Sequence, residues 1–176
     1  YNYKTIMESR TVKLYSLGYG DTKAYLAAVL FALGNVVLPR LFHLVHQGGA
    51  TWLPIYFFTL VGAYKYGWRV GLMVAVLSPL ANSALFSMPA PEVLPSILIK
   101  SALLAIAAGM ASARYKKASL PLLAIVVLCY QGIGTLGEWA MTGSFGVAVQ
   151  SLRIGLPGML LQVLGGWLFI NRIVRR

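Results

Sequence analysis

Long apolar runs constrain this chain more than any other feature. From Ala118 to Gly137 no charged residue interrupts the sequence. About 20 predominantly apolar residues are what an α-helix needs to cross the hydrocarbon core of a bilayer. Comparable runs fall at about 23–42, 52–66, 70–86, 96–113, 120–137 and 151–171. They are continuous, unlike the ten-residue alternating segments of a membrane barrel. Composition agrees: 59% of the residues are hydrophobic and only 11% charged, where a soluble domain carries about a quarter charged. The fold class expected is an all-α integral membrane protein with six transmembrane helices. Residues 1–22 form a polar lead-in, and 23–176 form one six-helix membrane domain.

Turn-forming stretches separate the runs. HLVHQGGAT (43–51), SMPAPEVLP (87–95) and GEWAMTGSFG (137–146) are read as loops on one side, and YKYGWR (64–69) and ARYKKAS (113–119) as basic turns on the other. No cleavable apolar segment precedes the first run, so no signal peptide is expected.

The formal charge of +11 would suggest nucleic acid if it were clustered, but the basic residues lie between the apolar runs. One side would collect Lys4, Arg10, Lys13, Lys23, Lys65, Arg69, Arg114, Lys116, Lys117, Arg172, Arg175 and Arg176. The other would keep only Arg40, Lys100 and Arg153. This asymmetry is how topology is encoded in membrane proteins. It places both termini in the cytoplasm, requires an even number of spans, and argues for a lipid bilayer rather than nucleic acid as the partner.

Little in the chain resembles catalytic machinery. There is no GxxxxGK[ST] phosphate loop, no HExxH and no CxxC. Cys129 stands alone in an apolar run, with no metal pattern around it. His43 and His46, three residues apart, either ligate a metal or haem or sit in a wet loop as ordinary hydrogen-bonding side chains. The expectation is no enzyme, no cofactor and no metal.

The loops after the first, third and fifth runs gather His43, His46, Gln47, Trp52, Tyr56, Asn82, Phe86, Glu92, Glu138 and Trp139. Aromatic walls with a few convergent polar groups line small-molecule pockets. For Trp52 and Trp139 the interfacial aromatic belt is the competing explanation. Lys100 falls inside the fourth run, where a charge is costly and is either functional and paired or snorkels to the surface. Glu138 and Arg153 close the fifth span and open the sixth, so a salt bridge between them is expected. With Lys100 and Arg153 sharing one acid, the pocket would favour a carboxylate or phosphate ligand. Ala24, Ala28 and Ala32 recur every four residues and form a smooth stripe on the first helix. The stripe either packs helices within one bundle or receives a partner's helix.

The stretch from Gly62 to Met110 resembles the central part of the substrate-binding S components of energy-coupling factor (ECF) transporters. The matching features are a glycine-containing turn between Gly62 and Gly71, Ser78-Pro79-Leu80, Met88-Pro89 and Leu94-Pro95. Gly155 to Gln162 is similar to the sixth span of one branch, and Ala24, Ala28 and Ala32 to its alanine stripe. The likeness covers about residues 24–171. Two positions depart from it: Lys100 stands where many relatives carry an acid, and Gly165-Gly166 stands where a proline is common.

The resemblance implies a multi-pass protein of the bacterial cytoplasmic (inner) membrane that binds a vitamin-like micronutrient from outside. It implies docking through the alanine face onto a transmembrane coupling subunit driven by two ATPase subunits, and release inside by toppling of the S component. Gly48-Gly49, Pro89, Pro91 and Gly143 to Gly146 would serve as hinges. Substrate-binding residues are then His43, His46, Gln47, Trp52, Tyr56, Asn82, Phe86, Lys100, Glu138, Trp139 and Arg153. The alternatives are a small membrane haem or metal protein using His43 and His46, and a scaffold subunit with no ligand.

Overall fold

A computed structural model describes residues 14–44, 46 and 48–173; all of these that form regular structure are helical. In chain order the elements are α1 (Thr22–Phe42), α2 (Gly48–Trp52), a 3-10 turn (Pro54–Tyr56), α3 (Phe57–Tyr66), α4 (Trp68–Phe86), α5 (Leu94–Tyr115), α6 (Leu120–Thr142), α7 (Phe145–Ile154), α8 (Leu156–Leu168) and a π-helical turn (Phe169–Ile173). Four helices, α1, α4, α5 and α6, are long and apolar enough to cross a membrane, and α7 with α8 makes a fifth if the bent pair is one span.

The second expected span is not one long helix. Its residues are divided between α2, the 3-10 turn and α3, and α3 has only 10 residues. At 1.5 Å per residue that is about 15 Å, half a bilayer core. What α3 lacks in length it has in burial. Phe57 and every residue from Thr59 to Lys65 are buried, as expected of a helix enclosed on all sides. α1, α4, α5 and α8 pack around it. The turn after it is shorter than the sequence suggested. It consists of Gly67 alone, at φ +101°, a backbone state that costs glycine little. Tyr64 and Lys65, read as turn residues, are therefore inside the last helical turn and fully buried. Residues 14–21 form no helix, and the backbone N–H groups of Tyr15 and Leu17 donate to the carbonyls of Lys65 and Tyr66.

The sixth expected span is broken. α7 and α8 meet at 45°, where Gly155 precedes Leu156-Pro157. Pro157 has no N–H to continue the hydrogen-bond ladder back to Arg153, and it sits in the first turn of α8, where that donor is not needed. The loop expected at 137–146 contracts to Gly143-Ser144, because α6 runs on to Thr142. The Ser144 hydroxyl accepts from the Val147 N–H and caps α7. Glu138 and Trp139 are consequently helical residues.

The alanine stripe faces inward. Ala24 and Ala28 are buried with Val70 and Val74 of α4, and Ala32 is half-buried. Small side chains here let α1 approach α4 closely. Of the two readings of the stripe, packing within one bundle is the one Ala24 and Ala28 adopt, and they offer no open docking face. The opposite side of α1, with Leu26, Leu30, Leu33, Val37 and Leu41, is exposed.

One polar cluster holds α1, α3 and α4 together. The Asn35 Nδ2 donates to Thr59 Oγ1 at 3.0 Å and Ser78 Oγ at 3.2 Å, and its Oδ1 accepts from the Phe58 N–H at 3.0 Å. Ser78 passes its own proton to the Val74 carbonyl. All three side chains are fully buried, so leaving any of them unpaired would cost about 1–3 kcal/mol.

Candidate functional site

The cluster leads directly to a cavity. In α1, Pro39 lacks the N–H that would normally bond the Asn35 carbonyl one turn earlier. Asn82 of α4 supplies a substitute: its Nδ2 donates to Asn35 O and to Ser78 O, each at 2.9 Å. A proline in one helix thus sets the position of an asparagine in another, and both line the same cavity.

That cavity has a volume of about 510 Å³, within the usual range for small-molecule sites. Its wall is assembled from the end of α1 (Pro39, Arg40) with His43, from Ala50 of α2, from Leu53 to Tyr56, from Asn82 and Phe86 of α4, and from Met88, Pro89 and Val93 of the following loop. Ser96, Ile97 and Lys100 of α5, Gln131 and Glu138 of α6, and Val147, Gln150, Ser151 and Ile154 of α7 complete it. These segments all belong to one end of the bundle. Leu53 enters the wall in a left-handed conformation, φ 48°. This state is unfavourable for a branched side chain, and more so before a proline. It turns the chain sharply before Pro54, from which Tyr56 reaches the floor with 3% exposure.

The floor carries an ion pair. Lys100 Nζ lies 2.6 Å from a carboxylate oxygen of Glu138, with side-chain exposures of 7% and 14%. It is the only ion pair among the described residues. Gly134 makes it possible: a Cβ there would lie 2.5 Å from Lys100 Cγ. The lysine side chain occupies the space a larger residue would fill and reaches Glu138 one turn further along α6. Pairing replaces both snorkelling and the expected Glu138–Arg153 bridge. Arg153 is exposed and lies outside the cavity lining, in an adjoining shallow groove on α7 that shares Gln150 and Ile154 with it.

Beside the pair, Gln131 Nε2 donates to the Tyr130 hydroxyl at 3.1 Å, and that hydroxyl donates to Gln162 Oε1 at 2.8 Å. Gln131 Oε1 and Gln162 Nε2 are buried with no partner among the described residues. At the rim, the Arg40 guanidinium lies 3.2 Å from the centroid of the Phe86 ring, a cation–π contact linking the ends of α1 and α4.

Of the expected binding residues, the cavity brings together His43, Tyr56, Asn82, Phe86, Lys100 and Glu138. His46 is exposed and outside the lining, so the two histidines do not share this site. Gln47 lies outside the described residues. Trp52 packs on Phe42 at 5.9 Å between ring centroids, and Trp139 on Phe145 at 5.3 Å; neither lines the cavity. Trp139 is 45% exposed at the end of α6, the position of an interfacial belt residue. Among the described residues no three His, Cys, Asp or Glu side chains form a group that could hold a metal.

Sequence reasoning missed Gln131, Arg40 and the α7 residues Gln150 and Ser151. A polar side chain in an apolar run was the available signal for Gln131. No family model, curated protein or solved structure matches the chain.

Proposed function

We propose that this protein is the membrane-embedded binding subunit of a micronutrient importer of the ECF type. It would capture a small vitamin-like molecule in the cavity and work with a transmembrane coupling subunit and two separate ATPases. The observation that carries the binding part is the cavity itself: mostly apolar walls, two aromatic side chains, and a few buried polar groups converging from α4, α5 and α6. The transport part rests on the resemblance of the chain's ordered motifs.

On this reading the composite of α2, the 3-10 turn and α3 serves as a second, incomplete crossing and the bent α7–α8 pair as the sixth. Six crossings put both termini on one side, and the distribution of lysine and arginine makes that side cytoplasmic. The cavity then opens outward from a bacterial inner membrane. Since Ala24 and Ala28 are occupied, the coupling subunit would meet the exposed side of α1 around Leu26, Leu30 and Leu33. A haem or metal protein is the weaker reading, because only one of the two histidines faces the cavity.

The test is mass spectrometry of small molecules released from gently purified protein, with Tyr56→Ala/Phe86→Ala as the control. A stoichiometric compound present in the wild type and lost from the variant is expected. A wild-type protein that is folded, carries nothing, and takes up nothing from a cell extract would overturn the proposal.

A further inference from the structure

At the end of the bundle opposite the cavity, two aromatic rings hold an arginine. Arg69 is the second residue of α4. Its guanidinium carbon lies 4.9 Å from the centroid of the Trp68 ring and 5.8 Å from that of Tyr19. The two rings meet edge to face at 6.5 Å.

Packing fixes this group from both sides. A Cβ at Gly109 of α5 would lie 2.5 Å from the Trp68 backbone, so α4 starts hard against α5. On the other side the Gly18 N–H donates to Asp21 Oδ2 at 2.8 Å, and the Asp21 N–H donates to the Gly18 carbonyl at 3.1 Å. This reciprocal turn carries Tyr19. It also engages Asp21, the one described acid at this end of the bundle. Arg69 is half-buried, and among the described residues no carboxylate pairs with it. A partly desolvated guanidinium in that position is a site for an anion, because charge-assisted hydrogen bonds offset the lost hydration.

The level of the site says which anion. α4 has 19 residues, about 28 Å at 1.5 Å per residue, close to the thickness of a hydrocarbon core. Arg69 at its start therefore lies among the headgroups. Met73, Leu77 and Leu80 follow it about one turn apart on the same face, and Leu77 and Leu80 are exposed. A soluble anion would use the cation and leave this aliphatic track bare. The exposed Lys23, Arg114, Lys116 and Lys117 share the same end. They repel the ammonium of a zwitterionic lipid and favour a headgroup of net negative charge.

We propose that Arg69, with Trp68 and Tyr19, forms a headgroup site for an anionic phospholipid. The planar guanidinium grips the phosphodiester through two parallel N–H groups, and an acyl chain lies along Met73, Leu77 and Leu80. The site is independent of what the cavity takes; it requires only that α4 cross a membrane.

The test is native mass spectrometry of the full chain released from nanodiscs containing equal amounts of phosphatidylglycerol and phosphatidylcholine. The wild type is expected to retain phosphatidylglycerol over phosphatidylcholine by about tenfold, the scale of a hydrogen bond to a charged group. Arg69→Gln should remove that preference. Lys117→Gln removes the same charge from the same end, outside the stacked group, and should leave the preference intact. Arg69→Lys keeps the charge but loses the fork; it should lower the preference several-fold, and it decides the matter if Arg69→Gln does not fold. Equal losses from Arg69→Gln and Lys117→Gln would mean diffuse surface charge and overturn the proposal. So would a wild type without preference, or displacement of the lipid by inorganic phosphate, which would mark a site for a soluble anion.

Discussion

Lys100 and Glu138, 38 residues apart, meet at 2.6 Å across the α5–α6 interface, and the contact depends on Gly134 lying between them. Buried ion pairs are costly to break from one side, because the remaining charge stays in a low-dielectric environment. Glu138→Ala is therefore expected to lower stability by about 3–5 kcal/mol. The double variant Lys100→Met/Glu138→Leu is expected to recover most of that loss. Reversible unfolding of the purified protein in mixed micelles measures both; a double variant as unstable as the single one would contradict the pairing.

Gly134 itself supports a second expectation. Its missing side chain is the space Lys100 occupies, so Gly134→Ala is expected to overpack the site by about 1–3 kcal/mol. Gly132, two residues earlier, has nothing within 4 Å of a built Cβ. Gly132→Ala is expected to be stabilising by about 0.5–1 kcal/mol, the ordinary gain of alanine over glycine inside a helix. Equal responses from the two glycines would show that the close approach at Gly134 is not real.

The Pro39–Asn82 relation makes a coupling expectation. Asn82→Leu orphans the Asn35 carbonyl and should cost about 1–3 kcal/mol. Pro39→Ala restores an N–H one turn from that carbonyl, so adding it should rescue part of the loss. A double-mutant cycle isolates the interaction. Strict additivity would mean that Asn82 does not substitute for the proline's missing donor.

The two histidines should separate in binding. His43 lines the cavity and His46 does not, so His43→Ala should weaken retention of the co-purified compound by about two- to tenfold, the scale of one ordinary hydrogen bond. His46→Ala should leave it unchanged. Equal effects from both would favour a shared metal or haem site.

Topology can be checked by cysteine labelling in sealed vesicles. Cys129 is exposed on the surface of α6, midway along the helix. Facing lipid, it is expected to resist a membrane-impermeant maleimide. In a Cys129→Ser background, Lys117→Cys, just ahead of α6, and Thr142→Cys, its last residue, should label from opposite sides. Labelling of both from one side would exclude α6 as a span.

The apolar runs around residues 24–42, 70–86, 96–113 and 120–137 determined the four long helices directly, because bilayer thickness sets a length that sequence displays. The loop read at 87–95 was legible from its prolines too, although its last two residues, Leu94 and Pro95, open α5 instead. The composition of the pocket was partly legible too: His43, Tyr56, Asn82, Phe86, Lys100 and Glu138 stood out as polar or aromatic residues at the ends of runs that had to share one side. The tertiary structure alone decided how these residues are used. Whether Ala24 and Ala28 faced a partner or α4 depended on which side of α1 its own bundle covered, and helical spacing is the same in both cases. Glu138 had two cations within plausible reach; the choice of Lys100 followed from Gly134 and from Arg153 turning outward on a helix broken before Pro157. The orientation of the Asn82 amide in the wall was set by Asn35 and Ser78, whose carbonyls its N–H groups reach. Such pairings join residues distant in sequence, and they are set by packing that no local pattern records.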